Sequence, residues 1–143
     1  MDKLMSKLGA TVVDFPMKAH CCGGHMTQIT EEVALELMRQ LLKNAADYDA
    51  DVIVTLCPMC QFNLDAYQSN INKLFGTDFH IPILYFTQLM GLAMGHSPKE
   101  LGFGKEIVND KPALKKIGVE PPPKPKKKRP PKGALPTPSL KEE

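Results

Sequence analysis

The sequence predicts a small α/β domain, three-layer-like with a short, mainly parallel sheet, followed by a disordered, basic Pro/Lys-rich C-terminal tail. Three observations carry this. Short β-branched apolar runs alternate with longer amphipathic stretches, as in strands joined to parallel neighbours by helical crossovers. One run, Val52 to Leu56, ends directly on Cys57-Pro58-Met59-Cys60 with a helical pattern behind it. Charge and proline also segregate along the chain. Residues 1–110 hold 8 Lys/Arg against 13 Asp/Glu, net −5, whereas residues 111–143 hold 10 against 3, net +7, with nine of the 13 prolines. The chain divides accordingly into a domain at 1–110 and an extended tail at 111–143.

Asp2 to Leu8 reads as a short amphipathic helix stopped by Gly9. A domain seldom opens on a helix running straight into a strand, so further residues are expected upstream. Ala10 to Phe15 reads as a first strand ended by Pro16. Thr27 or Thr30 caps the next helix, whose first turn carries Glu31 and Glu32 where the helix dipole favours acids. Val33, Ala34, Leu37, Met38, Leu41, Leu42 and Ala45 form its apolar face, to about Asp47. Asp51 to Leu56 has the nearly all-apolar character of a strand buried on both faces. Pro58 suits a first helical turn, where its missing N–H is not needed. The helix it opens is expected to run to about Phe75, with Phe62, Ala66, Ile71, Leu74 and Phe75 inward and Gly76 as its stop. Ile81 to Phe86 makes another strand, and Thr87 caps a short helix carrying Leu89, Met90, Leu92 and Ala93.

From about Asp110 the periodicity fades. Glu120 to Lys132, rich in proline and lysine, lacks the apolar side chains a packed core requires, so an extended polyproline-like conformation is expected. It reads as a solvated tail or as an electrostatic tether to an acidic partner. No groove-reading motif or aromatic platform accompanies it, so nucleic acid is not an expected partner. No apolar run approaches the ~18 residues of a membrane span, and Met1 to Met5 lacks the apolar core of a signal peptide. A cytoplasmic location is expected, where cysteines serve metal or redox chemistry more often than structural disulfides.

All four cysteines fall in two tight clusters, Cys21-Cys22 followed by Gly23-Gly24, and Cys57-Pro58-Met59-Cys60. The glycines permit positive φ and close approach of the backbone to a bulky group. If the strands before the two clusters are parallel neighbours, all four sulfurs meet at one edge of the sheet, where α/β folds gather ligands. The helix start at Cys57 adds N–H groups that stabilise thiolates. Four readings remain open on these residues: an iron–sulfur cluster, structural zinc, a thioredoxin-like redox pair at Cys57 and Cys60, or buried core thiols. Adjacent cysteines fit a tetrahedral zinc knuckle poorly. A redox pair leaves Cys21-Cys22 without a role.

The spacing is also a family signature. Cys21-Cys22-Gly23-Gly24, with 34 residues between Cys22 and Cys57, and then Cys57-Pro58-Met59-Cys60-Gln61-Phe62-Asn63-Leu64-Asp65, resembles the C-terminal cysteine-rich (CCG) domain of the heterodisulfide reductase B-subunit. The resemblance covers roughly residues 1–105, including Ile81-Pro82-Ile83-Leu84 and Gln88-Leu89-Met90-Gly91. Related domains occur in lactate- and glycolate-oxidising complexes and in some succinate dehydrogenase subunits. Members of the heterodisulfide reductase branch carry two such domains and hold noncubane [4Fe-4S] clusters that reduce a disulfide, in methanogens that of coenzymes M and B.

This sequence departs from that pattern: the family's first CCG domain, and a fifth cysteine some thirty residues before the adjacent pair, have no counterpart in it. The resemblance therefore implies a split subunit or a fragment, inactive alone, with another chain supplying the N-terminal half. It implies Cys21, Cys22, Cys57 and Cys60 as iron ligands, and Gly23 and Gly24 as the point of close approach to the cluster. Iron–sulfur and flavin subunits are implied as electron donors. His25, the nearest titratable side chain, would hand a proton to the leaving thiolate, its competing reading being an ordinary surface or core histidine. A non-catalytic electron-transfer or assembly subunit is the alternative from another functional class.

Overall fold

A computed structural model describes residues 1–119. Its centre is a two-stranded parallel sheet, β1 (Ile53–Thr55) beside β2 (Ile83–Tyr85), in the register Ile53 to Ile83, Val54 to Leu84 and Thr55 to Tyr85. Six helices accompany it: α1 (Asp2–Lys7), α2 (Glu31–Asp47), α3 (Pro58–Ala66), α4 (Gln68–Phe75), α5 (Phe86–Ala93) and α6 (Lys111–Ile117). Successive strand residues face opposite sides of a sheet, and this sheet is buried on both. Ile83 joins a core with Ala34, Leu35, Met38, Leu41, Leu42, Leu64 and Ile71 from α2, α3 and α4. Leu84 turns to the other side, against Phe103 and Leu114 with Leu89, Leu92 and Leu101. Helices thus cover both faces of a short parallel sheet, the layered α/β arrangement that the alternating pattern predicts.

Several expectations require correction. Ala10 to Phe15 forms no strand: among the described residues it has no ladder partner, and Lys18 bridges Asp2 at 2.7 Å and Asp14 at 2.8 Å beside it. The single helix expected from Pro58 to Phe75 is two, divided at Tyr67 (φ −96°, ψ 1°), while Gly76 does end the second in the left-handed conformation. Val33, Phe62, Leu74 and Phe75 are exposed, and Leu35 and Leu64 take the inward places instead. The break at Tyr67 explains part of this, because it ends the single 3.6-residue period on which that face was drawn. The last strand's helix starts at Phe86 rather than after Thr87, with the Gln88 side chain accepting the Tyr85 N–H at 2.8 Å.

Packing also continues past the expected boundary at 110. Asp110 is buried and accepts the Gly104 N–H at 3.0 Å, and α6 buries Ala113 and Leu114, the latter in the second core. The Lys-rich composition masked a single inward turn there. The Pro/Lys-rich run itself, Glu120 to Lys132, lies outside the described residues. Among the described residues no helix is long and apolar enough to cross a membrane.

Candidate metal centre

Two local structures carry the cysteines. The first is the turn through Cys21 and Cys22 into a 3-10 turn at Gly24–Met26. Gly23 sits in the left-handed region at φ +72°, and a Cβ there would stand 2.5 Å from Leu37 Cδ1 on α2. Gly24 has no such dihedral requirement, yet a Cβ on it would meet Asn63 Nδ2 at 2.0 Å and Cys22 Sγ at 3.4 Å. Gly23 is favoured by its dihedral, and the side chains that come close to the two glycines belong to α2 and α3. Thr27 Oγ1 closes the turn by donating to the Gly24 carbonyl at 2.8 Å.

The second structure is the corner from β1 into α3. Cys57 is the residue before the helix, extended at φ −96° and ψ 121°, and Pro58 opens the first turn. Tyr85 Oη donates to the Leu56 carbonyl at 2.7 Å, fastening the corner to the end of β2. A short apolar strand that must end at one point, followed by proline, is what places Cys57 at the rim and Cys60 one turn inward.

The two structures meet at Cys60. Cys22 is buried in the main core, and half-buried Cys60 packs on the same cluster. Burial first, then the adjoining Cys22 and Cys57 thiols, push the Cys60 thiol up to about 12. Cys57 is exposed and shifts the other way: the N–H of Cys60 and then that of Met59 draw its thiol below the ordinary value, against a desolvation effect between them in size. Cys21 is exposed, and its sulfur accepts the Gly23 N–H at 3.5 Å. His25 is exposed in the 3-10 turn, and no hydrogen bond among the described residues links it to a cysteine. Cys60 therefore adjoins Cys22 on one side and Cys57 on the other, while Cys21 lies exposed in the neighbouring turn.

The opposed shifts give a pH-dependent result. In metal-free protein at pH 8, iodoacetamide should label Cys57 well before Cys60. Cys57 ionises below the usual thiol range, while Cys60 stays protonated until about pH 12. Peptide mass mapping reads this directly, and equal rates at the two sites would contradict the assigned environments.

These donors suit iron–sulfur chemistry in type. Thiolates are soft ligands for such clusters. Among the described residues no three Cys, His, Asp or Glu side chains surround a point that could hold a single metal ion.

Sequence reasoning left Asn63, Leu37 and Tyr85 without a role at this site. Asn63 carried a usable signal: a polar residue three positions after Cys60 on an inward helix face. Beside α3 lies an open cleft of about 440 Å³, bounded by Pro58, Gln61, Phe62, Tyr85, Gln88 and Glu106 among others, and beginning one residue from Cys57. Its Gln88 is nearly buried and donates to Glu106 Oε1 at 2.9 Å.

Comparison with known proteins identifies the family of this cysteine pattern. Residues 1–65 match the family model of the cysteine-rich CCG domain. The chain is 35% identical over 108 residues to the 8-methylmenaquinol:fumarate reductase membrane anchor subunit of Wolinella succinogenes, covering 76% of this chain and 38% of that protein. It is 37% identical over 118 residues to the B-subunit of the ferredoxin:CoB-CoM heterodisulfide reductase of Methanosarcina mazei, covering 81% and 39%. A protein of Archaeoglobus profundus that is itself named as similar to the heterodisulfide reductase B-subunit is 32% identical over 101 residues, covering 69% and 34%. The chain thus spans about two-fifths of the length of these relatives.

Proposed function

We propose that this chain, whose residues 1–65 match the cysteine-rich CCG domain and which is similar to heterodisulfide reductase B-subunits, is part of an iron–sulfur redox complex that reduces a disulfide. The single observation that carries this reading is the meeting of Cys22, Cys57 and Cys60 across two separate structures, on a chain whose relatives include heterodisulfide reductase subunits.

In this reading Cys21, Cys22, Cys57 and Cys60 hold a [4Fe-4S] cluster, of the noncubane type. When bound, the cluster supplies one-electron chemistry and a soft site for sulfur. The chain's own residues do the rest. Gly23 and Gly24 let the Cys22 turn lie close against α2 and α3 respectively. The first turn of α3 directs N–H groups at Cys57 and favours its thiolate. The cleft beginning at Pro58 gives a disulfide room to approach from solvent, with Gln61 and Gln88 as polar groups along its wall. His25 would return a proton to the departing thiolate, an assignment supported only by its place in sequence after Gly24. Partners in this reading are iron–sulfur and flavin subunits that deliver electrons, and a polypeptide supplying the remaining length of the relatives.

A second reading has one observation in its favour. A relative this similar is named as a fumarate reductase subunit, so the domain also serves a complex with a different reaction. The cluster would then relay charge without touching substrate. The two readings separate in one experiment on protein purified anaerobically with its neighbouring gene products. Reduced with dithionite and offered a disulfide, a catalyst releases two thiols per two electrons consumed. A relay shows a reversible redox couple and releases none.

A further inference from the structure

We propose that Asn63 is the positioning residue of the cysteine site, a wedge that sets how closely the Cys22 turn lies against the Cys60 helix. Asn63 is a polar side chain at 2% exposure in a mainly apolar interior, a placement that costs free energy unless its hydrogen bonds are made. Its Nδ2 donates to the Met59 carbonyl at 2.9 Å, which ties the amide back onto the turn between Cys57 and Cys60. The same Nδ2 fills the space where a Gly24 Cβ would be, 2.0 Å from that position, with Cγ at 2.9 Å. Cys22 Sγ bounds this space at 3.4 Å. One amide therefore touches the backbone of both cysteine-bearing structures and borders one of the sulfurs.

Besides the contact of Cys60 with Cys22, in which the thiol is only a weak hydrogen-bonding group, the contacts between these structures are mainly apolar. Cys22, Leu64 and Cys60 pack in one cluster with α2, and apolar packing permits sliding that a fixed amide does not. Asn63 is thus the group that gives the contact a defined register. The inference rests on the iron–sulfur reading only for its spectroscopic consequence. The thiol geometry stands independently of what the thiols bind.

The test uses the full 143-residue chain in metal-free form, in two cysteine backgrounds. With Cys21 and Cys57 replaced by serine, diamide closes a Cys22–Cys60 disulfide, taking up the two electrons and two protons the thiols release. With Cys21 and Cys22 replaced, the same oxidant closes Cys57–Cys60, which lies within one corner and does not span the Asn63 contact. Asn63→Ala should slow the Cys22–Cys60 closure about tenfold or more, since small misplacements of reacting atoms carry penalties up to ~100-fold. It should leave Cys57–Cys60 within about twofold.

Gly24→Ala, which displaces the amide, should slow the same pair. The double variant should be no slower than the worse single variant, because both changes break one contact. Unchanged Cys22–Cys60 closure in Asn63→Ala would overturn the proposal. Equal slowing of both pairs, in Asn63→Ala and in the isosteric Asn63→Asp, would also overturn it, because Asn63 would then be supporting α3 itself. On anaerobically loaded protein the expected companion result is a shifted EPR signal or reduced iron retention in Asn63→Ala. If the iron–sulfur reading fails, neither protein holds iron and the disulfide rates still decide the role of Asn63.

Discussion

Cys60→Ser abolishes iron and sulfide retention in protein assembled anaerobically with its partners. The reason is the central place of this thiol. It adjoins both Cys22 and Cys57, and its loss removes the one sulfur that links the 3-10 turn to the β1–α3 corner. Changing groups that merely orient a metal ligand already costs about 10–100-fold in metal affinity, so loss of a direct donor exceeds that range. The variant should keep its helical circular dichroism, since serine removes little volume from a half-buried position. Cys21→Ser is expected to have a smaller effect, because Cys21 lies exposed in the neighbouring turn. Wild-type iron content in Cys60→Ser would show that these cysteines do not form the metal centre.

Gln68→Leu removes a large share of the protein's stability. Gln68 is buried at 2% exposure, and its amide makes three hydrogen bonds: Nε2 donates to the Leu64 carbonyl at 2.9 Å and the Ile81 carbonyl at 2.8 Å, and Oε1 accepts the Ile81 N–H at 3.0 Å. This pairing holds the segment entering β2 against the α3–α4 junction, with Ile83 following it into the main core. Leucine fills the volume and makes none of these bonds, leaving backbone groups buried without partners at about 1–3 kcal/mol each. A loss of roughly 3–5 kcal/mol is expected, a large share of the ~5–15 kcal/mol that stabilises an ordinary domain. Urea unfolding measures it, and a loss below about 1 kcal/mol would show that the Gln68 brace is dispensable.

The parts of this fold legible in the sequence are those fixed by local chemistry. The runs at Val52–Leu56 and Ile81–Phe86 contain β1 and β2, because β-branched apolar residues bounded by polar turns have few other ways to be buried. Pro58 and Gly76 mark a helix start and a helix end for the stereochemical reasons that make those residues good markers. What the pattern concealed was decided by long-range contacts. Ala10–Phe15 has strand composition, but among the described residues it pairs with no strand, and Lys18 bridges Asp2 and Asp14 at either side of it. The division at Tyr67 is silent in sequence, since no proline or glycine announces it.

The site divides in the same way. Cysteine spacing singled out the two thiol clusters, and Gly23 and Gly24 announced a close approach, but not to which side chains. That Asn63 and Leu37 occupy the space beside the glycines depends on how α2 and α3 pack, about 14 to 40 residues away along the chain. The opposed behaviour of Cys57 and Cys60 has the same origin, one lying at a helix start in solvent and the other against the core.

Iron and acid-labile sulfide analysis, with an EPR spectrum, tests the central claim most directly, on protein produced anaerobically together with its neighbouring gene products. An iron–sulfur centre on these cysteines predicts about four irons with matching sulfide per chain, held only when the partner is present. About one zinc per chain with no sulfide would contradict it and leave the α/β scaffold with a structural metal in place of a redox centre.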